Sequence, residues 1–460
     1  VRLRRRAVLH SKTVSMTEGS IFANLMRFAW PLMLTNVLQV LFNMSDVAVV
    51  GKFAGPEALG SVGSTSILIS LFVGVGLGMG TGVNVITARH IGANDTLGIK
   101  KCVTTSFVMS LVEGLILFFV AFVPARFILE LLGTKEELLA GAVLYVRIYA
   151  VGLIGLSVYN FGAGVLDAKG DTKTPLWILS IAGLSNVAMN LLFVIVFNMA
   201  VSGVALASAI SQTGAAIAVC VVLLKDDTRV KLEVRRERVS THILSSVLVI
   251  GLPAAFQNVI FAVANLFIQS AVNSFTVDVV EGNSAAMNAD SFAYDIMAAV
   301  YAGCAAFVSC NYGAGNIRRM RKSYYWSVAI SAVAGVVVGA LFLIFANPFL
   351  SLFTDEPAVL EAGRQRLIVM SLSYWISAFM DCAIAASRGI GKSVAPTIIV
   401  ILGSCVFRVV WVLTVFAAVG TLMSLYSLYA VSWTLTGIAE NIYFFWAIKN
   451  LKGKSVLEDT

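Results

Sequence analysis

Twelve apolar runs, each near twenty residues long, limit what this 460-residue chain can become. They lie at roughly 28–50, 60–86, 102–123, 138–161, 175–197, 201–224, 243–272, 285–309, 324–346, 359–383, 396–418 and 424–447. With 58% hydrophobic and 13% charged residues, and a mean hydropathy of +0.88, the chain is too apolar for water. A helix of about 20 residues crosses the hydrocarbon core, whereas a barrel strand needs only about 10. The expected fold class is therefore an all-α integral membrane protein with twelve transmembrane helices.

The net charge of +8 would suggest a nucleic-acid partner in a soluble protein, but the placement of the charges argues against one here. With both termini cytoplasmic, 26 of the 33 Lys and Arg fall in inner segments, among them Arg2, Arg4, Arg5, Arg6, Lys225, Arg229, Arg235, Arg236, Arg318 and Arg319. The outer loops would hold only Lys52, Arg126, Lys135, Arg364 and Arg366, while Arg147 and Arg408 lie within runs. The positive-inside rule thus predicts a multi-pass protein of the inner (plasma) membrane, a monomer among membrane lipids, with both termini cytoplasmic. No signal peptide is visible, because the basic start is followed by polar sequence. Met16 would make a natural start, so residues 1–15 are expected to be either an extension or a disordered basic tail.

The two halves of the chain repeat. Pro31 and Pro253 are 222 apart, as are Asn36/Asn258 and Asn43/Asn265, while Gly170/Gly391 and Pro175/Pro396 are 221 apart. An even number of helices per half makes the repeats parallel, an arrangement common in transporters. The expected organisation is a basic tail (1–20), a six-helix lobe (21–224), a charged cytoplasmic linker (225–242), a second six-helix lobe (243–448) and a C-terminal tail (449–460). Gly74, Gly78 and Gly82 recur every four residues on the second run, which predicts close helix packing.

The first run carries Asn36, Gln39, Asn43 and Asp46 within a wedge of roughly 80° on a helix, a face unsuited to lipid. A carboxylate there costs at least about 2.5 kcal/mol, which makes Asp46 the leading candidate for an ion or proton pathway. Pro31 opens the same helix as a hinge. The fifth run holds Asn186 and Asn190 four apart on one face. In the second half, Asp290, Asp381, Arg408 and Glu440 form a possible coupling network, with a structural ion-pair network as the alternative. Gln39, Asn43, Gln257 and Asn265 are candidate cavity amides.

The three histidines, His10, His90 and His242, sit at cytoplasmic edges, which leaves carboxylates as proton carriers in the membrane. The six cysteines lie in or beside apolar runs and read as small buried hydrophobes rather than disulfide or metal ligands. No enzyme motif emerges: Gly391-Lys392-Ser393 mimics the end of a P-loop, but its first glycine is replaced by Ala386. An enzyme is not expected, nor any cofactor or metal beyond Na⁺ or H⁺ as a coupling ion.

These residues resemble the multidrug and toxic compound extrusion (MATE) transporters. The resemblance rests on Pro31 through Asp46 to Gly51, Leu59-Gly-Ser-Val-Gly, Ile91-Gly-Ala, Tyr145-Val-Arg-Ile, the Gly170-Asp-Thr-Lys-Thr-Pro loop, Gly203 to Ser208, Gly251-Leu-Pro253, Tyr312-Gly-Ala-Gly and Arg388-Gly-Ile-Gly-Lys-Ser. It implies a V-shaped pair of lobes that rock to exchange cytoplasmic cationic or amphipathic molecules for Na⁺ or H⁺. It also implies a cation site at Asp46 and Asn186, completed by Asn190 and Ser208, where the family more often has Asp and Thr. Asp167 likewise stands where many members carry Arg, while its repeat partner Arg388 keeps the pattern.

Two other functions compete with this one. A flippase for a lipid-linked precursor would be expected to carry a strongly basic cavity, and a non-transporting receptor or scaffold would need no acid on the polar face of the first helix. The topology is directly testable: a single cysteine placed at Asp278 is expected to react with impermeant reagents from outside only, and labelling solely from the cytoplasmic side would refute the orientation.

Overall fold

The computed structural model describes residues 13–226 and 228–451. It is all helical, with twelve helices long and apolar enough to span a membrane. They are α1 (Ile21–Phe53), α2 (Pro56–Gly92), α3 (Thr96–Phe122), α4 (Glu136–Lys169), α5 (Lys173–Val196), α6 (Ala200–Lys225), α7 (Thr241–Val272), α8 (Val277–Gly313), α9 (Ile317–Ile344), α10 (Pro357–Gly389), α11 (Val394–Val419) and α12 (Leu422–Asn450). Each matches one of the twelve apolar runs, α3, α5 and α9 stopping one or two residues short of the run's end. Several extend well past the run, because a helix goes on satisfying its own backbone after it leaves the hydrocarbon. Two features escaped the hydropathy pattern: α5 ends in a π-helical turn, Leu192–Val196, and α11 contains two, Ile401–Val406 and Val412–Phe416.

The chain forms two compact units. Among the described residues, the first comprises 13–15 and Trp30–Ala255, and the second comprises Met16–Ala29 and 256–451. The start of α1 therefore belongs with the second unit and the first half of α7 with the first. Both helices change unit within two residues of a proline, Pro31 in α1 and Pro253 in α7.

In the first unit the small-residue ridge of α2 does what its spacing predicts. A Cβ on Gly78 would stand 2.4 Å from the backbone nitrogen of Ala255, and one on Gly82 would stand 2.6 Å from the carbonyl oxygen of Val247. Only glycine allows two helix backbones to approach so closely. A hydrophobic core around Val50, Leu129, Leu153 and Val204 binds the other helices of this unit. Gly170 ends α4 at φ 87°, and its repeat partner Gly391 stands at φ 84°, so the repeated glycines serve one left-handed turn used twice.

The charged linker is fastened to the first unit. Val230 and Leu232 are each 2% exposed. Lys169 meets Asp226 at 2.5 Å, and Thr104 donates to the carbonyl of Glu233 at 2.9 Å. Burial pushes the Asp226 carboxyl up, but the Lys169 ammonium and the hydrogen bonds from Thr228 outweigh it and hold the group below the usual range. Its contribution to stability is thus present above the ordinary carboxylate pKa and is lost as the pH falls through the lowered value. The expected disordered tail is corrected at its end: Val14 donates its N–H to the carbonyl of Gly170 at 2.9 Å. Residues 1–12 and 452–460, including most of both expected tails, lie outside the described residues.

In the second unit, Arg319 gathers the segment preceding α1, donating to the carbonyls of Met16, Glu18 and Gly19 at 3.1, 2.7 and 2.9 Å. Deeper in this unit lies a completed ion pair. Arg366 donates twice to Asp290 Oδ2, at 2.9 and 2.6 Å, and once to Asn283 at 2.7 Å, while Tyr374 donates to the other carboxylate oxygen at 2.5 Å. Two sequence expectations change here. Arg366 is a 3%-exposed residue of α10, not a loop residue, and Asp290 is closed by Arg366 and Tyr374 rather than grouped with Asp381, Arg408 and Glu440. Arg366→Ala is expected to destabilise the protein by about 3–5 kcal/mol, because it leaves a buried carboxylate unpaired. In detergent unfolding the double change Arg366→Leu/Asp290→Leu should cost less; a double change costing more than the single would show that the pair is not the source.

Candidate functional site

The amide pair predicted from spacing meets the predicted acid in the first unit. Asn186 and Asn190 share one face of α5, and both are buried, with Asn190 fully so. Asn190 Nδ2 donates to Asp46 Oδ1 of α1 at 2.5 Å, and Ser208 Oγ of α6 donates to Asp46 Oδ2 at 3.4 Å. The Asn186 amide is best satisfied with its nitrogen towards Asp46 Oδ1, at 2.7 Å, and its oxygen accepting from the Ser208 N–H at 3.2 Å. Three residues on two helices thus converge on the carboxylate of a third.

The cluster is rich in acceptors. Asn190 Oδ1 is buried without a hydrogen-bond partner. The other oxygens of the cluster are the two of the Asp46 carboxylate and the Ser208 hydroxyl, while the Asn186 oxygen is already taken by the Ser208 N–H. Oxygen sets of this kind suit hard cations or a proton rather than a softer transition metal. A buried acceptor with no donor costs roughly 1–3 kcal/mol, so it marks where a ligand would be rewarded. Two groups that the sequence reading did not assign stand nearby: Tyr145 and Tyr149 of α4 are buried, stack at 5.9 Å and lie within electrostatic range of Asp46. Tyr149 Oη accepts from Gln212 at 2.8 Å. Their four-residue spacing was the available signal, but which helix they faced was not readable from it.

The expected cavity amides divide between the units. Gln39 is half-buried on α1 in the first unit, and the side chain of Asn43 lies outside the described residues. In the second unit Asn265 is exposed, whereas Gln257 is 8% exposed and its oxygen accepts from Arg388 Nη2 at 2.7 Å. Gln257 is therefore engaged inside the second unit through a residue the cavity reading had not paired with it. Of the proposed second-half network, Asp381, Arg408 and Glu440 remain: Asp381 acts through space on Arg408, and Glu440 on Arg388. None of the three forms an ion pair among the described residues. Both Glu440 carboxylate oxygens are buried without a hydrogen-bond partner.

Comparison with known proteins agrees with this architecture. A probable multidrug resistance protein, YpnP of Bacillus subtilis, is 29% identical over 79% of this chain and 81% of its own length. The multidrug export protein MepA of Staphylococcus aureus is 21% identical over 92% of each chain. A solved structure described as the outward-facing conformation of a multidrug resistance MATE family transporter covers 96% of this chain and 99% of its own, with a TM-score of 0.89 and 22% identity, and so shares the fold. The MatE family model matches twice, over residues 31–192 and 253–414, one match for each sequence repeat. The chain therefore belongs to the MatE family of membrane transporters and is not an enzyme.

Proposed function

We propose that this chain is a secondary active exporter that drives cationic or amphipathic small molecules out of the cytoplasm in exchange for Na⁺ or H⁺, with both termini cytoplasmic. The relatives named for multidrug resistance and multidrug export support this reading. The observation that carries it is the Asp46 cluster: a carboxylate within a membrane-spanning helix, ringed by Asn186, Asn190 and Ser208 and accompanied by an unused acceptor on Asn190. The scaffold alternative gives no reason for such a cluster, since an intramembrane acid is costly unless it handles charge.

The energetics are adequate. One charge crossing about 100 mV gains roughly 2.3 kcal/mol, enough for about a 50-fold gradient of a neutral substrate moved one per ion. Coupling requires the ion to prefer one conformation of the transporter, because a ligand with equal affinity for both shifts nothing. The helix carrying Asp46 is suited to that role. Pro31 leaves the carbonyl of Arg27 without its helical N–H donor, and one turn on Thr35 adds its hydroxyl as a donor to the Pro31 carbonyl at 2.9 Å.

Efflux of a fluorescent lipophilic cation from proteoliposomes, under imposed Na⁺ or H⁺ gradients, tests the proposal and identifies the ion. Asp46→Asn should give a folded protein that binds the cation but no longer accumulates it against a gradient. Asp381→Asn should be milder. A dead Asp381→Asn beside a fully active Asp46→Asn would move the coupling site to the second unit and refute the assignment.

A further inference from the structure

Two arginines lie buried in the second unit, and only one of them is satisfied. Arg366 meets a carboxylate, an amide oxygen and the rings of Tyr426 and Tyr429, at 5.2 and 5.4 Å. Arg408 is equally buried, at 3% exposure, but among the described residues it forms no ion pair, and its one hydrogen bond there runs from Nε to Ser432 Oγ at 3.2 Å. Its guanidinium lies over the rings of Tyr429 and Phe261, at 4.7 and 5.6 Å. Aromatic rings meet the delocalised charge without engaging the N–H donors, and it is those donors that take a carboxylate by a two-point bond. Asp381, the nearest acid acting on it, stays beyond ion-pair distance and acts equally on Arg388, which also faces Glu440.

The backbone singles out the same residue, and the repeat marks its neighbour Phe261. Arg408 occupies the short α-helical turn Phe407–Trp411, held between the two π-helical turns of α11. Such bulges are concentrated at functional sites, because they re-aim side chains at a cost in helix geometry. The two family matches begin at 31 and 253, so on α1 and α7 positions 222 apart correspond. Asp46 then corresponds to the buried Ile268, and Gln39 to Phe261. Where α1 has a carboxylate and an amide, α7 has an isoleucine and the phenylalanine that stacks on Arg408.

We propose that Arg408 is an anion-recognition residue, binding the carboxylate of an aromatic substrate against Phe261, Tyr429 and the neighbouring Trp433. The bound carboxylate would complete Arg408 as Asp290 completes Arg366. Tyr429 and Trp433 stand 5.7 Å apart, and Trp433 and Phe261 pack on Met380, Ile384 and Val400, an apolar wall suited to an aromatic body. The inference rests on the chain being an exporter of small amphipathic molecules and adds those bearing an acidic group to its substrates.

The test is equilibrium binding to the full-length protein in phosphatidylcholine nanodiscs, using 2-naphthoate, its uncharged isostere 2-naphthamide, and tryptophan fluorescence as the readout. No gradient is present, so a failure of ion coupling, read separately from Asp46→Asn efflux, does not affect the outcome. Naphthoate should bind about tenfold more tightly than naphthamide, the equivalent of one charge-assisted hydrogen bond. Arg408→Gln should abolish that preference and Arg408→Lys should retain part of it. Equal affinity of the two probes for the parent protein, which needs no variant to fold, overturns the proposal, as does a preference that survives Arg408→Gln. A tenfold loss of naphthoate binding on replacing phosphatidylcholine with phosphatidylglycerol would instead assign the anion to a lipid headgroup and overturn the substrate assignment.

Discussion

The hydrocarbon core offers no water to a polar group, and the rest of this structure follows from that constraint. Backbone groups respond by closing into helices. Side chains have no such internal solution, so each buried polar residue must find a partner on another helix, wait for a ligand, or remain unsatisfied at a cost. Asn283, Arg366, Asp290 and Tyr374 take the first course and form a closed network. Asp46 and its amides take it only in part, because Asn190 keeps a free acceptor. Arg408 and Glu440 scarcely take it at all. The degree of closure separates groups that hold the protein together from groups with capacity left for a ligand.

Close approach of helices is the other requirement, and here hydrophobicity gives little help, since lipid tails are as apolar as leucine. The first unit solves it with glycine. Gly78 and Gly82 bring α2 against the first half of α7, so that segment is held in the first unit by backbone contact although it begins the second sequence repeat. Both helices that change unit do so beside a proline, where the hydrogen-bond ladder is already broken.

Gene duplication left two halves with one architecture and different chemistry. The turn glycines Gly170 and Gly391 keep the same left-handed conformation, because no other residue adopts it without strain. The polar interior was free to diverge: Asp167 in one half answers Arg388 in the other, and Asp46 answers Ile268. Helix packing conserves small residues and turns, whereas charge at an interior position is set by what that half has to bind.

The amino-acid sequence by itself determined the twelve spans, the duplicated halves, the close glycine ridge and the shared face that puts Asp46 among amides. Each follows from a local rule: hydrocarbon thickness, a fixed offset, or the 3.6-residue period. What lay opposite those faces was decided only by tertiary structure. Arg366 reads as an outer-loop residue from its charge although it falls within the tenth apolar run, and its pairing with Asp290 spans 76 positions. The Tyr145 and Tyr149 pair beside Asp46, the π turns of α11 and the isolation of Arg408 were likewise unreadable. Periodicity states which side of a helix is polar; whether a partner stands within hydrogen-bond reach across the gap depends on the packing of two helices distant in sequence.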